Sequence, residues 1–153
     1  MHIYISMKII HVRKDNRNAG ALNEELKMKK EKPIFLYFYM NNCPHCISLE
    51  PKMHMLMQNM NKMSKYDDLV LGKVNADSIN DIDIENVYEF PTLKLLNNGN
   101  EHQYRESPTA EGNFQWINGL LKHSKTTKKH RKSKKHRKSR KERKSKKHQK
   151  SRK

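Results

Sequence analysis

The chain has 153 residues and a formal net charge of +17, so it has room for one domain of ordinary size. Its longest apolar run falls far short of the roughly 18 residues that a membrane-spanning helix needs, and we expect no transmembrane segment. Lys8 interrupts the apolar N-terminus before it makes the core of a secretory signal peptide. We therefore expect an intracellular protein, of cytoplasm or nucleus.

The positive charge is concentrated at one end of the chain. Residues 122–153 carry 19 Lys and Arg side chains and a single acid, whereas residues 1–121 carry 14 basic and 15 acidic side chains. The basic segment has no apolar residue to bury, so it cannot offset the entropy lost on ordering. The sequence predicts a domain over residues 1–121 and a disordered tail over residues 122–153.

Strand and helix patterns alternate along the first half of the domain. A short strand over Ile9–Val12 precedes a helix over Ala19–Lys30, and Pro33 then breaks the chain. The run Ile34–Tyr39 is continuously apolar, which predicts a central strand buried on both faces. A long helix beginning near Cys43 follows. The apolar residues predicted to face inward from the two helices are Leu22, Leu26, Met28, Leu49, Met53, Leu56, Met60 and Met63.

The second half of the domain continues the alternation and ends with a hairpin and a helix. Its Asn98-Gly99 pair is typical of a tight hairpin turn. The predicted elements are a strand over Leu69–Val74, a helix over Asp77–Tyr88, strands over Thr92–Leu96 and Glu101–Tyr104, and a helix over Ala110–Leu121 capped by Thr109, with Phe114, Ile117, Leu120 and Leu121 inward. The order βαβαβαββα predicts an α/β fold with a central mixed sheet flanked by helices on both faces.

Two cysteines separated by two residues lie where the central strand gives way to the long helix. The sequence there is Cys43-Pro44-His45-Cys46. A helix N-terminus has unpaired N–H groups and a partial positive charge, which stabilise a thiolate at Cys43. Cys46 lies one turn further on and can attack a mixed disulfide formed by Cys43. His45 is a cation candidate that would lower the pKa of Cys43 further.

Two other interpretations of the cysteine pair remain open. In the first alternative, the pair would form half of a zinc site, because zinc needs four ligands. No second cysteine pair exists, and His45 and His54 would complete the set only with awkward geometry. An unreactive pair is the other alternative, although a helix N-terminus after a buried strand is a specific context for reactive thiols.

The segment Tyr37–Pro51 resembles the active-site segment of thioredoxin and protein disulfide isomerase domains. The segments Phe90–Lys94 and Thr109–Trp116 resemble later segments of the isomerase domains, in the same order and at compatible spacings. The resemblance covers roughly Ile9 to Lys122 and implies a thioredoxin fold. It also implies dithiol–disulfide exchange through a redox-active Cys43–Cys46 disulfide.

The resemblance assigns roles to individual positions. Cys43 becomes the attacking thiol and Cys46 the resolving thiol. Pro91 becomes a cis-proline opposite them, and Lys73 becomes the buried lysine behind the dithiol and a candidate for proton transfer, with an ordinary surface side chain as the alternative. The residues placed against the substrate are Phe90, Pro91 and Pro44.

Two departures from the family pattern affect the expected chemistry. The family's buried acid, six residues before the first cysteine, is Tyr37 here, and its tryptophan is Asn42. Without that acid, Cys46 lacks its usual proton acceptor and Lys73 lacks a charge partner, so we expect slow resolution of the mixed disulfide. The Cys-Pro-His-Cys loop resembles that of strongly oxidising periplasmic proteins, which implies an oxidising pair.

The tail consists of hexapeptide repeats over residues 128–151. Without aromatic residues it can bind phosphates by releasing counterions, but it cannot stack on bases. Nonspecific nucleic-acid binding, nuclear import and attraction to acidic membranes or proteins remain alternatives. Each repeat ends in a serine that is a candidate phosphorylation site for a basophilic kinase. These serines are Ser133, Ser139, Ser145 and Ser151.

The sequence therefore predicts a monomeric thiol–disulfide oxidoreductase, similar to a protein disulfide isomerase, that needs no cofactor. Its partners would be protein disulfides or dithiols, a redox partner that the sequence does not identify, and nucleic acid or another polyanion on the tail. The alternative is a packaging protein in which a redox-inactive thioredoxin fold carries a nucleic-acid-binding tail. The Asn, Lys, Ile and Met content with a basic arm also resembles proteins of large DNA viruses, where the location would be the virion.

Overall fold

A computed structural model of the chain describes residues 7–15, 17–105, 112–113 and 115–121. Its regular elements are β1 (Lys8–Val12), α1 (Asn18–Lys27), β2 (Ile34–Tyr39), α2 (Pro44–Asn61), β3 (Val70–Asn75), β4 (Thr92–Asn97) and β5 (Asn100–Gln103). Short 3-10 helices cover Ser64–Tyr66 and Ala76–Asp81. No helix in these ranges is both long and apolar enough to cross a membrane.

The five strands form one sheet in the order β1-β3-β2-β4-β5. β1 and β2 both run parallel to β3, whereas β4 runs antiparallel to β2 and β5 runs antiparallel to β4. β1, β2 and β3 run parallel because helical connections return the chain to the same end of the sheet, and β4 and β5 run antiparallel because a tight hairpin joins them. The predicted central mixed sheet is therefore confirmed.

The central strand β2 is buried on both faces, as its continuous apolar sequence predicts. Its residues Ile34, Leu36 and Phe38 belong to one core cluster with Leu22 and Leu26 of α1. The alternate residues point to the opposite face of the sheet. There the hydroxyl of Tyr37 reaches Glu50 of α2, so helices cover both faces of β2.

The inward faces of the two long helices match the sequence pattern except at their C-terminal ends. Leu22 and Leu26 of α1 are buried, as are Leu49, Met53, Leu56 and Met60 of α2. The inward placement of Met28 and Met63 is wrong, because these side chains are 39% and 38% exposed. Each of the two residues follows the end of its helix, so the helical periodicity no longer directs it to the core.

The helix predicted over Asp77–Tyr88 is wrong. A 3-10 helix ends at Asp81, and the chain from residue 82 to 91 contains no helix. The side chain of Asn23 donates to the carbonyl of Asp81 at 2.8 Å and accepts the N–H of Asp83 at 2.9 Å. These tertiary hydrogen bonds satisfy backbone groups that a continuing helix would otherwise pair.

The hairpin between β4 and β5 forms at the predicted turn. Asn98 and Gly99 both have a positive φ, of 54° and 81°, which is the geometry of the type I′ turn that Asn-Gly favours. Residues 112–113 and 115–118 are helical within the compact unit Met1–Asn118. Of the second unit, Gly119–Lys153, the structure describes residues 119–121, which are helical. The predicted cap at Thr109, the inward Phe114 and the tail over residues 122–153 lie outside the described residues.

Candidate active site

The Cys-x-x-Cys segment lies between the C-terminal end of β2 and the first turn of α2. Asn42 has a φ of 61°, a left-handed conformation that Asn tolerates better than most residues with a side chain. This turn places Cys43 at the N-cap of α2, and Pro44 occupies the first helical position. Proline suits that position because its fixed φ is already helical and the N–H it lacks would have no partner within the helix.

Cys43 sits where hydrogen-bond donors of the helix N-terminus converge on its sulfur. Its Sγ accepts the backbone N–H of Cys46 at 3.3 Å, and its thiol donates to the carbonyl of Phe90 at 3.7 Å. The thiol of Cys46, followed by the backbone N–H groups of Cys46 and His45, lowers the pKa of Cys43 against an opposing effect of burial. Both cysteines are reduced, so the structure holds the dithiol form of the pair.

Cys46 has the opposite protonation preference. Its residue is only 3% exposed. Burial, and secondly the hydrogen bond with the Cys43 side chain, raises the pKa of Cys46 to about 11. The pair therefore contains one thiol that ionises readily and one that holds its proton, which is the division between an attacking and a resolving thiol.

The other residues predicted around the dithiol occupy different positions relative to it. The side chains of Pro44 and His45 are exposed, and His45 contributes to the lowered pKa of Cys43 through its backbone N–H. The Phe90–Pro91 peptide bond is cis, as the resemblance implies. The carbonyl of Phe90 is the atom of that loop that contacts Cys43.

Lys73 has a charge partner, so the expectation that it lacks one is wrong. The Nζ atom of Lys73 forms an ion pair with Oε1 of Glu50, and the lysine side chain is only 14% exposed. Glu50 lies four residues after Cys46 on α2, so the two side chains share one face of the helix. The sequence did not single out Glu50, because the family's acid lies on β2. The position of Glu50, four residues after Cys46, was nevertheless a signal that could have found it.

Tyr37, at the position of the family's acid, also contacts Glu50. Its hydroxyl donates to Oε2 of Glu50 at 3.3 Å. Burial, followed by the charges of Glu50 and Cys46, raises the pKa of Tyr37 far above its ordinary value, so Tyr37 remains a neutral donor. The two oxygens of one carboxylate are thus held by Tyr37 from β2 and Lys73 from β3.

An open cavity of about 780 Å³ connects these groups to solvent. Cys46, Glu50 and Lys73 all line it, together with Ile47 and Pro51. Cys46 and Glu50 therefore border a common space. Within the described ranges, no cluster of three or more His, Cys, Asp or Glu side chains is arranged to hold a metal ion.

A mixed five-stranded sheet, with a Cys-x-x-Cys pair at the N-terminus of the helix after its central strand, defines a thioredoxin-fold protein. The family model described as Thioredoxin matches residues 13–118, so the chain belongs to the thioredoxin family. A protein disulfide-isomerase of Hordeum vulgare is 34% identical over 90 residues, which are 55% of this chain and 17% of that protein. Thioredoxin-T of Drosophila melanogaster is 32% identical over 85 residues, which are 55% of this chain and 51% of that protein.

Solved structures share the fold at low sequence identity. The J-Trx1 fragment of ERdj5 has a TM-score of 0.55 at 20% identity, over 74% of this chain and 52% of that chain. Human ERp44 in a zinc-bound form has a TM-score of 0.56 at 18% identity, over 74% of this chain and 32% of that chain. The chain spans at most about half the length of each of these four relatives.

Proposed function

We propose that the protein is a thiol–disulfide oxidoreductase that exchanges disulfides with protein substrates, in the manner of a protein disulfide isomerase domain and without a cofactor. The observation that carries the proposal is the pair of opposite thiols. Both cysteines are buried, but Cys43 caps the helix and has a lowered pKa, whereas Cys46 has a raised pKa. A structural or inert pair has no need for this asymmetry.

The exchange begins with the Cys43 thiolate, since only the thiolate attacks a disulfide. It bonds to one sulfur of the substrate disulfide, and the other substrate sulfur leaves as a thiolate. Cys46 then loses its proton and attacks Sγ of Cys43, which releases the second substrate sulfur. The substrate disulfide is reduced to two thiols, and the Cys43–Cys46 dithiol is oxidised to a disulfide.

The test is reduction of insulin, together with refolding of a scrambled disulfide protein, by the full chain. We expect Cys43→Ser to abolish both activities, and Cys46→Ser to accumulate a mixed disulfide with the substrate. Ser48→Ala is a matched control, because Ser48 is exposed on the same helix and has no role in the exchange. A wild-type chain as inactive as Cys43→Ser would refute the proposal and favour the packaging alternative.

The basic tail, residues 122–153, supplies a second part of the proposal. Nineteen cationic side chains in that segment favour nonspecific binding to nucleic acid or another polyanion, which would determine where the exchange takes place. Such binding weakens steeply with salt, because each phosphate contact releases counterions. Deletion of residues 122–153 should abolish salt-sensitive DNA binding and leave insulin reduction unchanged, whereas retained DNA binding would contradict this assignment.

A further inference from the structure

We propose that Glu50 accepts the proton of Cys46 when the mixed disulfide is resolved, and so replaces, from α2, the acid that this chain lacks on β2. This inference rests on the proposed function and deepens it. The slow resolution expected from the sequence followed from the missing acid alone. A carboxylate held at the same site by other elements removes the basis of that expectation.

The geometry places the carboxylate at the resolving thiol. Cys46 and Glu50 are one helical turn apart on the same face of α2, and both line the cavity behind the dithiol. Both also act on the hydroxyl of Tyr37, whose pKa their negative charges raise. A carboxylate and a thiol that border one open cavity from the same helix face can exchange a proton directly or through a water in that cavity.

Tyr37 and Lys73 are positioning residues for this carboxylate. Tyr37 donates to Oε2 at 3.3 Å, and Lys73 is paired with Oε1. The ammonium of Lys73 also lies 4.8 Å from the ring centroid of Tyr39 and 5.8 Å from that of Tyr37. Lys73 is thus held between two rings and the carboxylate, which fixes the position of the Glu50 side chain.

Cys46 needs such an acceptor more than an ordinary cysteine does. Burial is the largest cause of the raised pKa of Cys46, and it persists in the mixed disulfide, so the Cys46 thiolate is a small minority at pH 7. Transfer of the proton during the attack avoids dependence on that small population. The proton passes from Cys46 to Glu50, the Cys43–Cys46 bond forms, and the bond between Cys43 and the substrate sulfur breaks. The departing substrate thiolate then takes a proton from Glu50 or from solvent.

The test measures release of a peptide from a preformed mixed disulfide with Cys43, in single turnover from pH 7 to 9. General base catalysis contributes about a hundredfold or more, so Glu50→Gln should slow release at pH 7 by about a hundredfold. Release from that variant should then rise about tenfold per pH unit, because the Cys46 thiolate population alone sets its rate. Glu50→Asp keeps a carboxylate and should restore part of the wild-type rate.

The sign of the effect separates a proton acceptor from a merely structural charge. If Glu50 acted only as a negative charge beside Cys46, its removal would leave Lys73 unpaired, favour the Cys46 thiolate and speed release. Faster or unchanged release from Glu50→Gln therefore overturns the inference. Among the described residues, the charged and titratable groups around Glu50 include Lys73 of β3, which is ion-paired with it, Tyr37 of β2, which donates to it, and His11 of β1, on which its charge acts.

The surroundings of His11 move its titration away from the assay window. Burial, and secondly the charge of Lys73, lowers the pKa of His11, which reduces its titration between pH 7 and 9. Glu24→Gln is the matched control. It breaks another Glu–Lys pair, with Lys27 at 2.6 Å, on the exposed surface of α1, and it should release peptide at the wild-type rate.

The outcomes also separate this inference from the proposed function. A wild-type chain that forms no mixed disulfide through Cys43 refutes the function itself. A wild-type chain that forms and resolves the mixed disulfide, with Glu50→Gln resolving it equally fast, refutes only the role of Glu50. Circular dichroism of Glu50→Gln and Glu50→Asp would show whether both retain the fold, as expected for a side chain that is 42% exposed.

Discussion

Alkylation of the reduced protein should discriminate strongly between its two cysteines. At pH 7 a thiol with a pKa of about 11, the value for Cys46, is ionised in about one molecule in ten thousand. The pKa of Cys43 is instead lowered, chiefly by the thiol of Cys46, and even an unperturbed cysteine is ionised in about one molecule in thirty at pH 7. Because only thiolates react, iodoacetamide should modify Cys43 at least about a hundred times faster than Cys46.

The assay is peptide mapping by mass spectrometry after brief exposure to iodoacetamide between pH 6 and 11. The rate at Cys43 should level off as the pH rises through its lowered pKa, whereas the rate at Cys46 should still rise near pH 11. The Cys43→Ser variant isolates Cys46 and checks that its low rate does not depend on prior modification of its neighbour. Equal initial rates at the two cysteines, or a faster rate at Cys46, would refute the assignment of the attacking thiol.

Three further predictions concern stability and redox poise. Gly72→Ala should cost about 1–3 kcal/mol in urea unfolding, because its Cβ would lie 2.8 Å from Leu36 and 2.9 Å from Leu22. Gly20→Ala, with no atom within 4 Å of the new Cβ, should not destabilise. Glu101→Gln should cost about 1–3 kcal/mol, because fully buried Lys94 loses its carboxylate partner at 2.5 Å and keeps the neutral carbonyl of Glu85 at 2.8 Å, whereas a near-neutral result would contradict this. A glutathione titration should give a reduction potential above about −230 mV, and about −270 mV would contradict the oxidising assignment.

The sequence was most informative where a local pattern decides the structure. Ile34–Tyr39 could only be a buried central strand, and it places the cysteine pair at the helix that follows. The inward-facing apolar residues of α2 were predictable as far as Met60. The Asn98-Gly99 turn was predictable because both residues tolerate a positive φ. These features gave the fold and the attacking thiol without any long-range information.

The failures arose where a contact between distant segments decides the structure. Asn23 of α1 binds the backbone at Asp81 and Asp83, and no local pattern in the predicted helix over Asp77–Tyr88 reveals that competition. The pair between Glu50 and Lys73 spans 23 residues. This pairing depends on how α2 lies across β3. Matching the chain to the family position by position shows that the acid of β2 is absent, but it does not show that an acid on α2 reaches the same lysine.

The hydrogen bond from Cys43 to the carbonyl of Phe90 links two events that are usually treated separately. A protonated thiol can donate to that carbonyl, but a thiolate has no proton to give. Ionisation of Cys43 therefore creates the nucleophile and frees a backbone acceptor beside it in the same step. An incoming peptide N–H would then meet that acceptor without competition from the thiol, so ionisation would favour binding of a backbone at the position where the thiolate reacts.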